Sequence, residues 1–245
     1  MTIRNVLVFL FAFLNAQVTM GECKQLDDKK LEELLIPASI QVMPGRTFRI
    51  RTFLQECCVI ETDLNDVCAT WSMDATKGVH LNSETGELSI NNDVTAGSTF
   101  TVTANVQNGQ KILTSKITVY TPQQNPFVGR WKEAVQVDCA TGEVFSPTSK
   151  IEEIEFQADG QFFVTWLPFE LYRDYWGTYT FDLKKGVFTL SGLSGNYVPE
   201  DVDHGGTFTF PSERSLILKD FWFGTPNSGE TKVVVKKACG HHLFR

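Results

Sequence analysis

The 245-residue chain lacks the compact signatures that would name a reaction. It has no P-loop, no dinucleotide-binding glycine fingerprint, no HExxH and no nucleophile elbow, so nothing marks a phosphate cradle, a zinc protease or an α/β-hydrolase serine. It has no CxxC or HxxxH spacing, which leaves structural zinc without its usual ligand pattern. Basic clusters are absent and the net charge is −7, a balance that argues against nucleic acid and against an anionic membrane surface. Beyond the first twenty residues no stretch is apolar enough to cross a bilayer. Asn-x-Ser/Thr acceptors are also missing, which fits bacterial export.

The chain does carry a leader-like start. Arg4 supplies a positive charge, Val6–Leu14 (VLVFLFAFL) is apolar, and small residues follow, so residues 1–21 read as a secretory signal peptide, with an uncleaved anchor as the rival reading. The six cysteines (Cys23, Cys57, Cys58, Cys68, Cys139 and Cys239) all lie beyond it, and an even count in an exported chain reads as disulfides. The simplest arrangement pairs Cys139 with Cys239. Adjacent cysteines make a strained ring with each other, so Cys57 and Cys58 are expected to take Cys23 and Cys68 as partners. The expected location is secreted, periplasmic or cell-surface, with no membrane span after cleavage.

Patterning along the chain is mostly of period two. Asp27–Leu35 reads as a short helix stopped by Pro37, with Leu31, Leu34 and Leu35 on one side. From Ser39 the chain alternates as strands, with Phe48, Ile50 and Thr52 on one face after a Pro44-Gly45 turn. Glu84-Thr85-Gly86 reads as a tight turn between Leu81 and Leu88, and Asn108-Gly109 joins two alternating runs as a hairpin. The stretch GVHLNSETGELSINNDVTAGSTFTVTANVQNGQKILTSKITVY (Gly78–Tyr120) resembles the immunoglobulin-like and cadherin-like modules of secreted and surface proteins. That resemblance implies a β-sandwich over residues 22–121, used as a spacer or to bind a protein partner.

Thr121–Pro126 is polar and proline-bounded, so a linker is placed at 122–126 and a second domain at 127–245. This half is ring-rich: of 19 Phe, 5 Trp and 5 Tyr, most lie beyond residue 126. Many short strands joined by turns suggest an antiparallel meander, which removes its exposed edges by closing. Gly129-Arg130-Trp131, ADGQFFVTW (Ala158–Trp166) and YWGTYTFD (Tyr175–Asp182) resemble lipocalin-like barrels. In that family the tryptophan plugs the closed end and a late arginine packs across it. Arg214 and Arg245 both remain open for that part, and the family's Thr-Asp-Tyr turn is absent. The expected fold class is therefore all-β, an Ig-like sandwich followed by an antiparallel barrel.

For function, the run WLPFELYRDYWGTYTFD offers the sharpest proposal. Trp166, Phe169, Tyr172, Tyr175 and Trp176, with Arg173 to orient a polar group, would line a barrel mouth holding a small apolar or aromatic molecule. The blander account is that small barrels need large inward rings to reach close packing. In GQFFVTWLPF both faces are apolar, so the face that does not fill the barrel must be covered by a neighbour or by the first domain. Glu170 and Asp174 could be a hydrolytic carboxylate pair, but Arg173 between them favours a surface ion-pair cluster. The acidic run Glu200, Asp201, Asp203, His204 reads as a plain turn, and Cys239-Gly240-His241-His242 as a frayed tail beside a disulfide. No cofactor and no metal is expected. A ligandless adhesive protein and a cofactor-independent isomerase or hydrolase stand as alternatives to the binding protein.

Overall fold

The computed structural model describes residues 23–55, 62–64, 66–74, 77–147, 149–166, 173–226 and 237–245. The fold is almost entirely β, and it has two hydrophobic cores.

The first core lies within the N-terminal sheets. In the strand Thr99–Val106, residues alternate so that Phe100, Val102, Ala104 and Val106 are buried, and Ile117 and Val119 of Lys111–Val119 join them. These strands form the expected hairpin, turning through Gln107, Asn108 and Gly109, all with positive φ. The Thr99–Val106 strand also pairs with Ala69–Met73, and Ser39–Val42 runs parallel along the outer side of Lys111–Val119. After Pro44-Gly45 the chain leaves this sheet. Thr47–Arg49 pairs instead with Glu87–Ile90, which forms a hairpin with Val79–Leu81. Gly86 makes that hairpin's tight turn at φ +70°, and a Cβ there would lie 2.6 Å from the Trp71 ring. The helix is shorter than the sequence pattern suggests, Asp28–Glu33, because Leu34–Leu35 is taken into a strand with Phe53–Leu54.

One cysteine expectation is corrected here: Cys23 and Cys68 bond each other. Neither can then serve Cys57 or Cys58, which lie outside the described residues. The pairing follows from the backbone, since Lys24 bridges Val67 and sets the two sulfurs side by side.

The second core fills a closed barrel of eight antiparallel strands. In order they are Gly129–Asp138, Glu153–Phe156, Gln161–Thr165, Tyr175–Asp182, Val187–Gly195, Gly205–Ser212, Ser215–Lys219 and Ala238–Phe244. The last pairs back onto the first, so the residues read as a frayed tail form the sealing strand. The Cys139–Cys239 bridge is present and sits beside the Asp138–Ala238 pair at the seam.

One end is plugged by rings. Phe127 is fully buried, with the rings of Phe156, Tyr179, Phe181, Phe208 and Phe210 all within 5.7 Å of it. Trp131 donates from Nε1 to the Phe127 carbonyl at 2.7 Å. Arg245, not Arg214, lies across that indole, 4.6 Å from its centre, and donates to the carbonyls of Val128 and Glu213. Gly129, at φ +133°, leaves room for it: a Cβ would stand 3.1 Å from the guanidinium. The residues between the two cores are tied down, because Asn125 donates to the Tyr179 hydroxyl at 2.8 Å and that hydroxyl donates to the Gln157 carbonyl.

Candidate functional site

The sequence-predicted site residues separate onto two faces of the barrel. Trp166 and Tyr175 point inward and pack ring against ring at 5.6 Å. The Tyr175 hydroxyl donates to the Phe223 carbonyl at 2.8 Å. Trp176 alternates outward and is 37% exposed. Arg173 lies with its guanidinium 3.5 Å from the centre of the Phe163 ring and bonds Glu155 at 2.9 Å. Phe169 and Tyr172 fall outside the described residues, as does Glu170. Asp174 is nearly buried and accepts from the backbone N–H of Trp166 at 2.8 Å.

Burial accounts for the inward tyrosines' chemistry. It pushes the Tyr175 phenol well above its ordinary value, with Asp174 and Asp201 adding to the shift, and it raises Tyr179 despite an opposing bond from Asn125. The unfolded chain gives up these protons near pH 10 while the folded chain keeps them. The folded state then binds more protons, so stability falls as pH rises above that point. Denaturant midpoints measured on a pH series should be level below about pH 10 and drop beyond it.

On the outer face, strand register builds a transverse row. Arg130 stands opposite Glu155, Glu155 opposite Phe163, and Phe163 opposite Trp176. Cross-strand partners on one face lie within contact distance, so Arg130 reaches Glu155 from the neighbouring strand; Arg173, just ahead of Tyr175–Asp182, reaches the same carboxylate. Phe163, an apolar residue of this row, is half-buried and carries the Arg173 guanidinium over its ring. Between the two units lies a cleft of about 530 Å³. Its first wall carries Ser39, Arg51, Phe53 and Lys116; its barrel wall carries Arg130, Glu155, Gln157, Asp159, Gln161, Phe163 and Arg173. Lys116 spans the gap to Asp159 at 3.7 Å. Amides hold the carboxylates in place, Gln157 donating to Glu155 and Gln161 to Asp159. Cations outnumber carboxylates in this cleft on a chain that is acidic as a whole. The Glu155 side chain is only 13% exposed and lies within this wall.

A second polar cluster lies inside the barrel toward the disulfide. Glu133 and His241 are buried and hydrogen-bonded at 2.5 Å, Gln136 donates to the same carboxylate oxygen, and the backbone N–H of Ile151 donates to the other. Trp222 stacks on His241 with ring centres 5.6 Å apart. Among the described residues, His241 Nε2 has no hydrogen-bond partner. The segment Phe221–Thr225 covers this end. It is fastened by Asp201, which accepts from the Trp222 indole and from the Thr225 backbone and hydroxyl. Burial works to raise the Asp201 carboxyl, but these bonds outweigh it and hold it below its ordinary value. The acidic turn is therefore a fastening; among the described residues no group of three or more His, Cys, Asp or Glu could hold a metal ion. Among the described residues, too, no helix is long and apolar enough to cross a membrane.

Sequence reasoning missed both clusters. Strict alternation from Trp131 would put Val135 and Val137 inside. Register shifts between Glu133 and Val135, and again between Gln136 and Asp138, turn Gln136 and Asp138 inward instead.

No family model matches the chain, and no curated protein matches its sequence. Solved structures similar to it include a structural-genomics protein of unknown function from Bacteroides ovatus, at 10% identity over 86% of this chain and 94% of that one, TM-score 0.28. Protocadherin gamma B7 extracellular cadherin domains 1–4 match at 11% identity, covering 77% of this chain and 46% of that one, TM-score 0.26. Human protocadherin-24 EC1-2 matches at 10% identity, covering 85% and 94%, TM-score 0.25. At these scores the likeness adds nothing to what the strand order itself establishes.

Proposed function

We propose that this chain is an exported binding protein that takes its ligand in the cleft between its two β units, with the ring-filled barrel as a rigid wall. The observation that carries the reading is the convergence of Arg51, Lys116, Arg130 and Arg173 on one cleft of ligand size. The disulfides support an oxidising compartment, where such a protein would meet its ligand outside the cytosol.

A titration with two fluorophores tests this, one apolar and anionic, the other apolar and neutral. The anionic dye should bind, and Arg173→Gln should weaken it about tenfold, roughly one lost charge-assisted contact. Trp176→Ala should leave it unchanged. Absence of dye binding would instead favour the adhesive, ligandless protein.

A second reading keeps the small apolar ligand inside the barrel, in the region of Trp166 and Tyr175. It is favoured by the buried Nε2 of His241 beneath Trp222, which has no partner among the described residues and which a ligand displacing Phe221–Thr225 would meet. Tight binding of the neutral dye, insensitive to Arg173→Gln, would support this reading over the cleft.

A further inference from the structure

We infer that the occupant of the cleft is a polypeptide in extended form, added as a further strand to the free edge of Ser39–Val42; this rests on the cleft being the binding site. That strand has one neighbour, Lys111–Val119, which runs parallel to it. Lys116 and Tyr120 donate to the carbonyls of Ala38 and Val42, so the even-numbered residues turn their backbone groups toward that neighbour. Ser39 and Gln41 turn theirs away, and among the described residues those amides and carbonyls have no partner. A row of outward backbone donors and acceptors matches the edge of another extended chain.

Two other edges in this half of the protein are guarded. On Ala69–Met73 the outward amide of Trp71 donates to the Ser83 carbonyl, and Thr47–Arg49 lies beside Arg46 and ends in a second charge. Ser39–Val42 has no charge, no proline and no bulge, the devices that keep an edge from pairing. Its two faces open into two spaces. The face carrying Ser39 borders the cleft of about 530 Å³. The face carrying Ile40 borders a groove of about 240 Å³, lined also by half-buried Met43, Phe48 and Tyr120. Side chains of an added strand alternate between these spaces, apolar ones into the groove and polar ones toward the cleft. The Lys116–Asp159 and Arg173–Glu155 pairs stay intact, because the new bonds go to backbone. The rival occupant is a second copy of this chain. The barrel wall stands close here, with Asp159 paired to Lys116, the neighbour of Ser39 in register. A cleft of this volume admits one extended segment and not a folded chain.

NMR and calorimetry on the full chain test this with a ten-residue peptide alternating valine and threonine, and with its copy N-methylated at every residue. The first peptide should shift the Ser39 and Gln41 amide signals and slow their hydrogen exchange; the second, which has no backbone donors, should do neither. Gln41→Pro removes an outward amide and spares the bonds to Lys111–Val119, a place where an edge strand tolerates proline. It should weaken binding about tenfold, roughly one net backbone hydrogen bond, with thermal melts showing that the fold is kept. Gln41→Ala keeps the amide and should bind as the wild type does. Equal binding of the N-methylated peptide, or a loss as large in Gln41→Ala, would overturn the inference. So would a dimer in sedimentation that Gln41→Pro dissolves, which gives the edge to a second copy. Binding of the anionic fluorophore without the peptide would overturn it while leaving the cleft as the site; binding of neither would remove both.

Discussion

Replacing Cys139 and Cys239 together by alanine should lower the unfolding free energy by about 4 kcal/mol. The bridge joins residues 100 positions apart, so its loss frees a long loop in the unfolded chain while the folded barrel keeps its strands. At 2–4 °C per kcal/mol for a chain of this size, the melting midpoint should fall by about 10 °C. Chemical denaturation of the double variant beside the oxidised wild type measures both. The bond sits at the seam, next to the last rung between the first and eighth strands. A loss below about 1 kcal/mol would mean that hydrogen bonds and packing along the seam already restrict the unfolded ends, and that the entropic account of this bridge is wrong.

Glu133→Ala should cost about as much for a different reason. The Glu133 side chain receives the His241 ring, the Gln136 amide and the Ile151 backbone N–H in a space closed to water. Its removal strands three polar groups at once, and each buried unsatisfied group costs about 1–3 kcal/mol. The expected loss is about 4 kcal/mol, within the range for breaking a buried pair by deleting one partner. The double variant Glu133→Met, His241→Phe should recover part of it, since replacing both partners by apolar groups removes the stranded ring. Urea unfolding curves of the two variants decide the matter. If the double variant is the less stable of the two, the cluster contributes net stability beyond satisfying its own groups.

The parts of this fold that could be read from sequence were those fixed by local chemistry. The Asn108-Gly109 hairpin, the turn ending in Gly86 and the closure of a ring-rich meander all follow from turn residues and period-two burial. The pairing of Cys139 with Cys239 followed from their isolation in the second half. What could not be read depends on long-range placement. Arg51, Lys116, Arg130 and Arg173 look like scattered surface charges until the two β units face each other. His241 sits in a segment with little apolar patterning, so nothing local reveals that it is the inward rung of the sealing strand. The aromatic neighbourhood of Trp176 suggests the mouth, whereas its position in the alternation puts it outside beside Phe163. Arg173 lies on the outer face, against Phe163 and Glu155, a position that no local pattern around it announces.

The order in which the strands emerge has a consequence for biogenesis. The strand that shuts the barrel is the eighth of eight and pairs with the first across 100 residues of chain. During synthesis the seven earlier strands therefore exist as a curved sheet with two raw edges, each able to capture another chain. Such late, distant pairing is slow. A chain released just short of Ala238–Phe244 should therefore aggregate sooner than the full chain, which sedimentation of the two translation products measures.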